Sequence, residues 1–179
     1  MTTSGKQRTN WPERLREISR YVNLTEEDRK LIRSTGPIVR RYADQLTTEV
    51  YDLIFEFPNA GRFFSYDDGM PDPKRVKDNK DSMMQWLNYL AQAPSNDAFA
   101  RYLIAVSAMH RDIPVHRPGL PPVHSQFVIG TISWYQTRLV EVFEDELGDL
   151  RKAVEASVAW NKMLMVSLDL LLGAYLLDS

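Results

Sequence analysis

The chain has 179 residues, and 44% of them are hydrophobic, so it can bury the core of one domain without a covalent cross-link. The absence of cysteine excludes disulfides, thiolate metal sites and a thiol nucleophile, and a formal net charge of −2 argues against a nucleic-acid-binding domain, which is usually basic. The N-terminus lacks the apolar segment of a signal peptide, and no apolar run is long enough to cross a bilayer, so we expect a cytoplasmic protein without a membrane segment.

The first part of the chain is predicted to be a short tail followed by helices. Residues 1–9 are polar and are expected to form a disordered tail, whereas residues 10–179 are expected to form a single domain. One apolar stripe predicts a short helix over residues 11–22. Thr25 and Asp28 resemble a capping box, which predicts that a second helix begins there.

Proline and glycine divide the middle of the chain. Gly36 and Pro37 are expected to end the second helix and to begin a long amphipathic helix that reaches Phe57. An Asp-Gly pair and two prolines predict a loop over residues 65–74, and a helix should follow it as far as Gln92.

The second half of the chain is predicted to form three helices with a proline-rich segment between the first two. The first of these helices ends soon after His110, the second runs from Pro122 to about Glu146, and the third follows Gly148 and reaches Leu177. The apolar spacing of the third helix predicts a buried stripe at Val154, Val158, Met165, Leu168, Leu172 and Tyr175. Since no segment alternates with period two, the predicted fold class is all-α with roughly six to eight helices.

His110 is the residue whose position most clearly suggests a functional role. Phe99, Leu103, Val106 and His110 follow one another at helical spacing, so the imidazole lies on the apolar face of its helix. Such a ring needs a partner, because an unpaired buried polar group costs about 1–3 kcal/mol. The partner is either a carbonyl in an ordinary core or the iron of a haem, which globins hold through a histidine beside the pocket.

The other candidate residues have ordinary interpretations as well. His116 and His124 with His110 raise a zinc site as an alternative, but the segment lacks a helical histidine pair, and solvated loop residues explain them better. Tyr51 faces inward on the long helix, either as a core tyrosine or as a hydrogen-bond donor to a gas ligand on iron. Met83 is then either core filling or an apolar wall of the same pocket.

Five stretches covering about residues 24–175 carry a family resemblance. They are LTEEDRKLIRSTGPIVRRYADQLTTEVYDLIFEFPNAGRFF, the SYDDGMPDPK loop with the helix after it, AVSAMHR, GLPPVHSQFVIG and KMLMVSLDLLLGAY. In their order and separations they resemble the protoglobin and globin-coupled-sensor family of haem proteins. The resemblance implies a globin-like fold with an extra N-terminal helix.

The same resemblance implies a haem b site in which His110 binds the iron and Tyr51 lies on the distal side. The implied cofactor-binding residues are Tyr51, Val50, Ile54, Met83, Leu87, Val106, His110, Phe127 and Thr131. His116 is a rival iron ligand, because the sequence after it is similar to the run that surrounds the ligand in sensor globins. We prefer His110, since it closes an apolar helical stripe. Val50 stands where protoglobins often carry a tryptophan, which implies a roomier distal side.

We therefore expect a haem globin that reversibly binds O₂, CO or NO for sensing, rather than an enzyme. The alternatives are a haem-free, globin-like signalling module and a haem enzyme such as an NO dioxygenase. The last two helices are rich in apolar residues, which predicts a homodimer through them: Trp134, Phe143, Trp160, Leu170 and Leu176. Because the chain ends just after the last globin helix, output is expected to pass through a separate transmitter protein or through the dimer.

Overall fold

The computed structural model describes residues 9–111 and 122–177, and these residues form seven α-helices and one 3₁₀-helix. The helices are α1 (Trp11–Tyr21), α2 (Glu26–Glu56), α3 (Pro58–Gly61), α4 (Pro73–Leu90), α5 (Asp97–Arg111), α6 (Ser125–Leu147) and α7 (Leu150–Leu177), with the 3₁₀-helix at Arg62–Phe64. The described residues contain no strand, so the predicted all-α class is confirmed. Residues 1–8 of the predicted tail and the rival ligand His116 lie outside the described residues.

Local capping residues explain where the helices begin. The Thr25 side chain accepts a hydrogen bond from the Asp28 amide at 3.1 Å, and the Thr25 amide donates to the Asp28 carboxylate at 2.8 Å. The predicted capping box is therefore confirmed. At α4 the Asp72 carboxylate accepts from the amides of Lys74 and Arg75, both at 3.1 Å. Each such cap stabilises its helix by about 1 kcal/mol.

The expectation that Gly36 and Pro37 interrupt a helix is wrong, because α2 runs through both residues. Pro37 and Arg33 are exposed, so solvent can hydrate the Arg33 carbonyl that the proline ring leaves without an amide partner. Gly36 is buried, and a Cβ there would lie 2.8 Å from the Ala91 carbonyl oxygen. Gly36 therefore permits close packing of α2 against the end of α4.

The α7 helix lies at the centre of the packing and contacts α1, α2, α5 and α6. The predicted stripe of α7 is wrong in its first half, since Val154, Val158 and Met165 are exposed. Small residues and a few large ones fill the core instead: Ala153, Ala156, Ala159, Trp160, Met163 and Leu164. The helix is apolar on several faces, so hydrophobic spacing alone did not identify the buried face.

The extra N-terminal helix α1 is fastened to α7. Arg14 donates through Nε and Nη2 to the two carboxylate oxygens of Asp169, each at 2.7 Å, in a partly buried bidentate pair. The indole ring of Trp11 lies over Gly173, where a Cβ would be 2.5 Å from the ring atom Cζ3. The absence of a side chain at Gly173 thus sets the distance between α1 and α7.

Gly173→Ala is expected to destabilise the fold by about 1–3 kcal/mol, because the new methyl group forces the Trp11 ring and α1 away from α7. Urea unfolding followed by far-ultraviolet circular dichroism measures the change. Gly130→Ala on α6 is the matched control: a Cβ there would meet no neighbouring group within 4 Å, so it should stabilise the helix by roughly 0.5–1 kcal/mol. Equal effects of the two substitutions would contradict the packing role of Gly173.

Candidate functional site

His110 lies in the last turn of α5. Its carbonyl oxygen accepts a hydrogen bond from the Val123 amide at 2.9 Å, which ties the end of α5 to the approach to α6. The residue is partly exposed, but its Nδ1 atom is buried and has no hydrogen-bond partner among the described residues. Burial lowers the pKa of His110 below its usual 6.5, so the imidazole is neutral at neutral pH. A neutral ring with a buried, unpaired nitrogen is chemically suited to bind a metal.

The rest of α5 holds His110 against the interior. Phe99 and Leu103 are fully buried, and Val106 is partly buried on the same face. The Ser107 hydroxyl donates to the Leu171 carbonyl at 2.5 Å and so fixes α5 on α7. The rotation of α5 that directs Nδ1 of His110 inward is therefore set by the packing of the helix turns before the histidine.

Tyr51 is the second candidate, and it is 3% exposed on α2. Its ring makes an edge contact with Phe64, with the ring centroids 5.1 Å apart, and the Lys80 ammonium lies 5.8 Å from the centre of the Tyr51 ring. Lys80 in turn donates to the Thr48 hydroxyl at 3.2 Å. Burial strongly raises the pKa of Tyr51, so its hydroxyl stays protonated and can donate a hydrogen bond.

The predicted pocket residues are distributed over four helices. Val50 and Leu87 are buried, whereas the other apolar candidates and Thr131 are partly buried: Ile54, Met83, Val106, Phe127 and Thr131. Within the described chain, α2 packs mainly on α3, α4, α6 and α7, whereas α5 packs mainly on α1 and α7. The helices that carry Tyr51 and His110, α2 and α5, thus both pack on α7 and do not pack extensively on each other.

Sequence reasoning missed two buried hydroxyls near this region. It assigns no role to Tyr135 on α6 or to Thr47 on α2, yet both side chains are fully buried and neither hydroxyl makes a hydrogen bond of ordinary geometry with the described residues. The spacing of Thr47 and Tyr51, one helical turn apart on α2, was the available indication, because such residues share a helix face.

The zinc alternative gains no support from the geometry. Residues 9–111 and 122–177 contain no group of three histidine, aspartate or glutamate side chains arranged to hold a metal ion. His124 is exposed and stands at the N-cap of α6, with its ring 6.3 Å from that of Phe127. Over the same residues, none of the helices combines the length and hydrophobicity needed to cross a bilayer.

Two surface pockets lie away from the candidate residues. One of about 290 Å³ lies between α1 and the start of α2, beside Arg16 and Arg29, and both guanidinium groups are already hydrogen-bonded to protein oxygens. The other, of about 490 Å³, lies beside Tyr89 and Tyr102. Neither pocket is lined by a predicted site residue.

The arrangement of these helices is that of a globin. It matches the globin domain of a Geobacter sulfurreducens globin-coupled sensor with a TM-score of 0.73, covering 90% of this chain and 97% of that chain. The two sequences are 19% identical, so this likeness concerns the fold.

The family can be stated more narrowly. The family model named Protoglobin matches residues 12–179, so the chain belongs to the protoglobin family. The resemblance inferred from the five sequence stretches is therefore confirmed, as is the globin-like fold. A search of curated proteins finds no match to the chain.

Proposed function

We propose that this globin binds haem b and, through it, a diatomic gas reversibly, as the sensory step of a signalling process. The observation that carries the proposal is the buried Nδ1 of His110, which has no partner among the described residues on the otherwise apolar face of α5. Family membership supports it, because globins hold haem iron through a histidine. When bound, the haem iron supplies the position at which O₂, CO or NO coordinates.

The residues present fit this group. His110 is neutral, as a metal ligand must be, and coordination would give its buried nitrogen a partner. Tyr51 offers a protonated hydroxyl, which stabilises O₂ over CO because bound O₂ gathers negative charge. The apolar residues proposed to exclude water from the pocket are Val50, Ile54, Met83, Leu87, Val106 and Phe127, with Thr131 at its edge.

An absorption spectrum of the purified protein, reduced and then exposed to CO, tests the proposal. We expect an intense Soret band that shifts when CO is added. Protein that stays colourless after expression with ample haem would support the haem-free signalling module instead. Steady-state consumption of NO in the presence of a reductant would support the NO dioxygenase alternative.

We also propose a homodimer through α6 and α7, but not through the residues that suggested it. Phe143, Trp160 and Leu170 are fully buried within one subunit, Trp134 is partly buried, and the side chain of Leu176 lies outside the described part of the chain. Other large apolar side chains on these helices are exposed, and they are Ile129, Val140, Leu150, Val154, Val158 and Met165. Because α6 and α7 form a hairpin, a second copy placed on this face would complete a four-helix bundle.

Val158→Glu is expected to convert the dimer to a monomer, because the substitution places on the exposed apolar face a carboxylate that dimerisation would remove from water. Light scattering at micromolar concentration measures the mass. Met70→Glu is the matched control, since Met70 is equally apolar and 64% exposed but lies in the loop before α4. A monomeric mass for the unmodified chain would contradict the dimer.

A further inference from the structure

Tyr135 and Thr47 bring two unused hydroxyl groups together in the interior. Tyr135 on α6 and Thr47 on α2 are both 0% exposed. A hydrogen-bonding interaction with the Thr47 side chain lowers the pKa of Tyr135, against a larger increase caused by burial. The contact between the two hydroxyls does not meet the distance and angle of an ordinary hydrogen bond, however, and neither hydroxyl has another partner among the described residues. Buried polar groups in native proteins are generally paired, so this exception needs an explanation.

The ring of Tyr135 is held in place by two tryptophans. Trp86 on α4 makes an edge contact at a centroid distance of 5.6 Å, and Trp134 makes one at 5.2 Å. Trp86 is itself fixed by a hydrogen bond from Nε1 to the Ser167 hydroxyl at 3.2 Å. Because the ring is enclosed in this way, the phenol does not turn outward to find water.

The unused hydroxyls lie on α2 and α6, two of the helices that carry the predicted site residues. Tyr135 acts electrostatically on Tyr51 and contributes to the raised pKa of that residue, so the two phenols lie within electrostatic range of each other. Thr47 precedes Tyr51 by one turn of α2 and shares its face. Burial also raises the pKa of Tyr135, so both phenols keep the proton that a hydrogen-bond donor needs.

We propose that Tyr135 is a second hydrogen-bond donor to the gas ligand, beside Tyr51, and that Thr47 orients its hydroxyl. The inference rests on the proposed function, and it assigns the selectivity of the site to two donors on different helices. The partner that Tyr135 lacks within the protein is then the ligand. Two donors favour a ligand that gathers negative charge, so they favour O₂ over CO.

Tyr135→Phe tests the inference through three measurements. The O₂ dissociation rate should rise about ten- to hundredfold, as expected for loss of a hydrogen bond to a charged partner. The C–O stretching frequency of the CO complex should increase, because a donor near the ligand has been removed. The urea midpoint of the protein as purified, without added gas, should stay the same or rise, because the deleted hydroxyl had no partner.

Tyr42→Phe is the matched control, since the Tyr42 hydroxyl donates to the Glu146 carboxylate at 2.7 Å away from the core. It should lower the urea midpoint and leave O₂ dissociation unchanged. Thr47→Val is the second variant, and it should raise the O₂ dissociation rate by less than Tyr135→Phe does.

The outcomes separate this inference from the proposed function. If the protein takes up haem and Tyr51→Phe speeds O₂ release, but Tyr135→Phe changes neither O₂ release nor the C–O frequency, only the role of Tyr135 is overturned. A lower urea midpoint with unchanged gas binding also overturns it, because Tyr135 would then serve only the fold, through a bond to Thr47. Failure of the unmodified chain to take up haem overturns both.

Discussion

His110→Ala is expected to abolish the Soret band of the purified protein. The substitution removes the imidazole whose buried nitrogen we assign to the iron, and alanine offers no ligand in its place. It also leaves a cavity of about the size of the lost ring. Imidazole added to the solution should enter that cavity and restore part of the band, which separates loss of the ligand from loss of the fold.

His124→Ala is the control for this experiment, because His124 is exposed and makes no capping hydrogen bond at the start of α6. The spectrum of that variant should be unchanged. The rival ligand is tested in the same series. Loss of the band in His116→Ala, together with a normal spectrum in His110→Ala, would show that His116 binds the iron instead.

Tyr51→Phe is expected to speed the release of O₂ by about ten- to hundredfold, because a hydrogen bond to a charged partner contributes about 1.5–3 kcal/mol and each 1.4 kcal/mol is tenfold in rate. Phenylalanine keeps the ring contact with Phe64, so the change is confined to the hydroxyl. Release of CO should change much less, since CO gathers less charge. Stopped-flow replacement of O₂ and photolysis of the CO complex measure the two rates.

Tyr66→Phe supplies the control, since the Tyr66 side chain is 51% exposed in the loop before α4. It should leave both rates unchanged. An equal acceleration of O₂ and CO release by Tyr51→Phe would mean that the substitution acts on the size of the pocket, and the donor role of Tyr51 would be wrong.

The parts of the fold that depend on local chemistry could be predicted from the sequence. Thr25 and Asp28 cap α2 because the interaction spans three residues. The loop predicted over residues 65–74, which in the structure ends at Asp72, follows from its prolines and its Asp-Gly pair. Continuity of α2 through Pro37 could not be predicted in this way. It depends on the exposure of Pro37 and on the contact of Gly36 with Ala91, and both are set by packing.

The residues of the candidate site also divide into those that could be predicted from the sequence and those that could not. His110 and Tyr51 could be selected from helical spacing and family resemblance, because each lies on the apolar face of one helix. The unpaired hydroxyls of Thr47 and Tyr135 could not, since they come together only when α6 packs on α2. The exposed valines of α7 were assigned to the core for a related reason: a helix that is apolar on several faces does not reveal which face its neighbours cover.

The bidentate pair between Arg14 and Asp169 joins residues 155 positions apart. Helices normally fray from their ends, where the amides exchange hydrogen first. Opening of α7 around Asp169 requires the ion pair with Arg14 of α1 to break, so α1 and this part of α7 should open together as one cooperative unit. The amides around Asp169 are then expected to exchange nearly as slowly as those of the core, and Arg14→Ala should release them selectively.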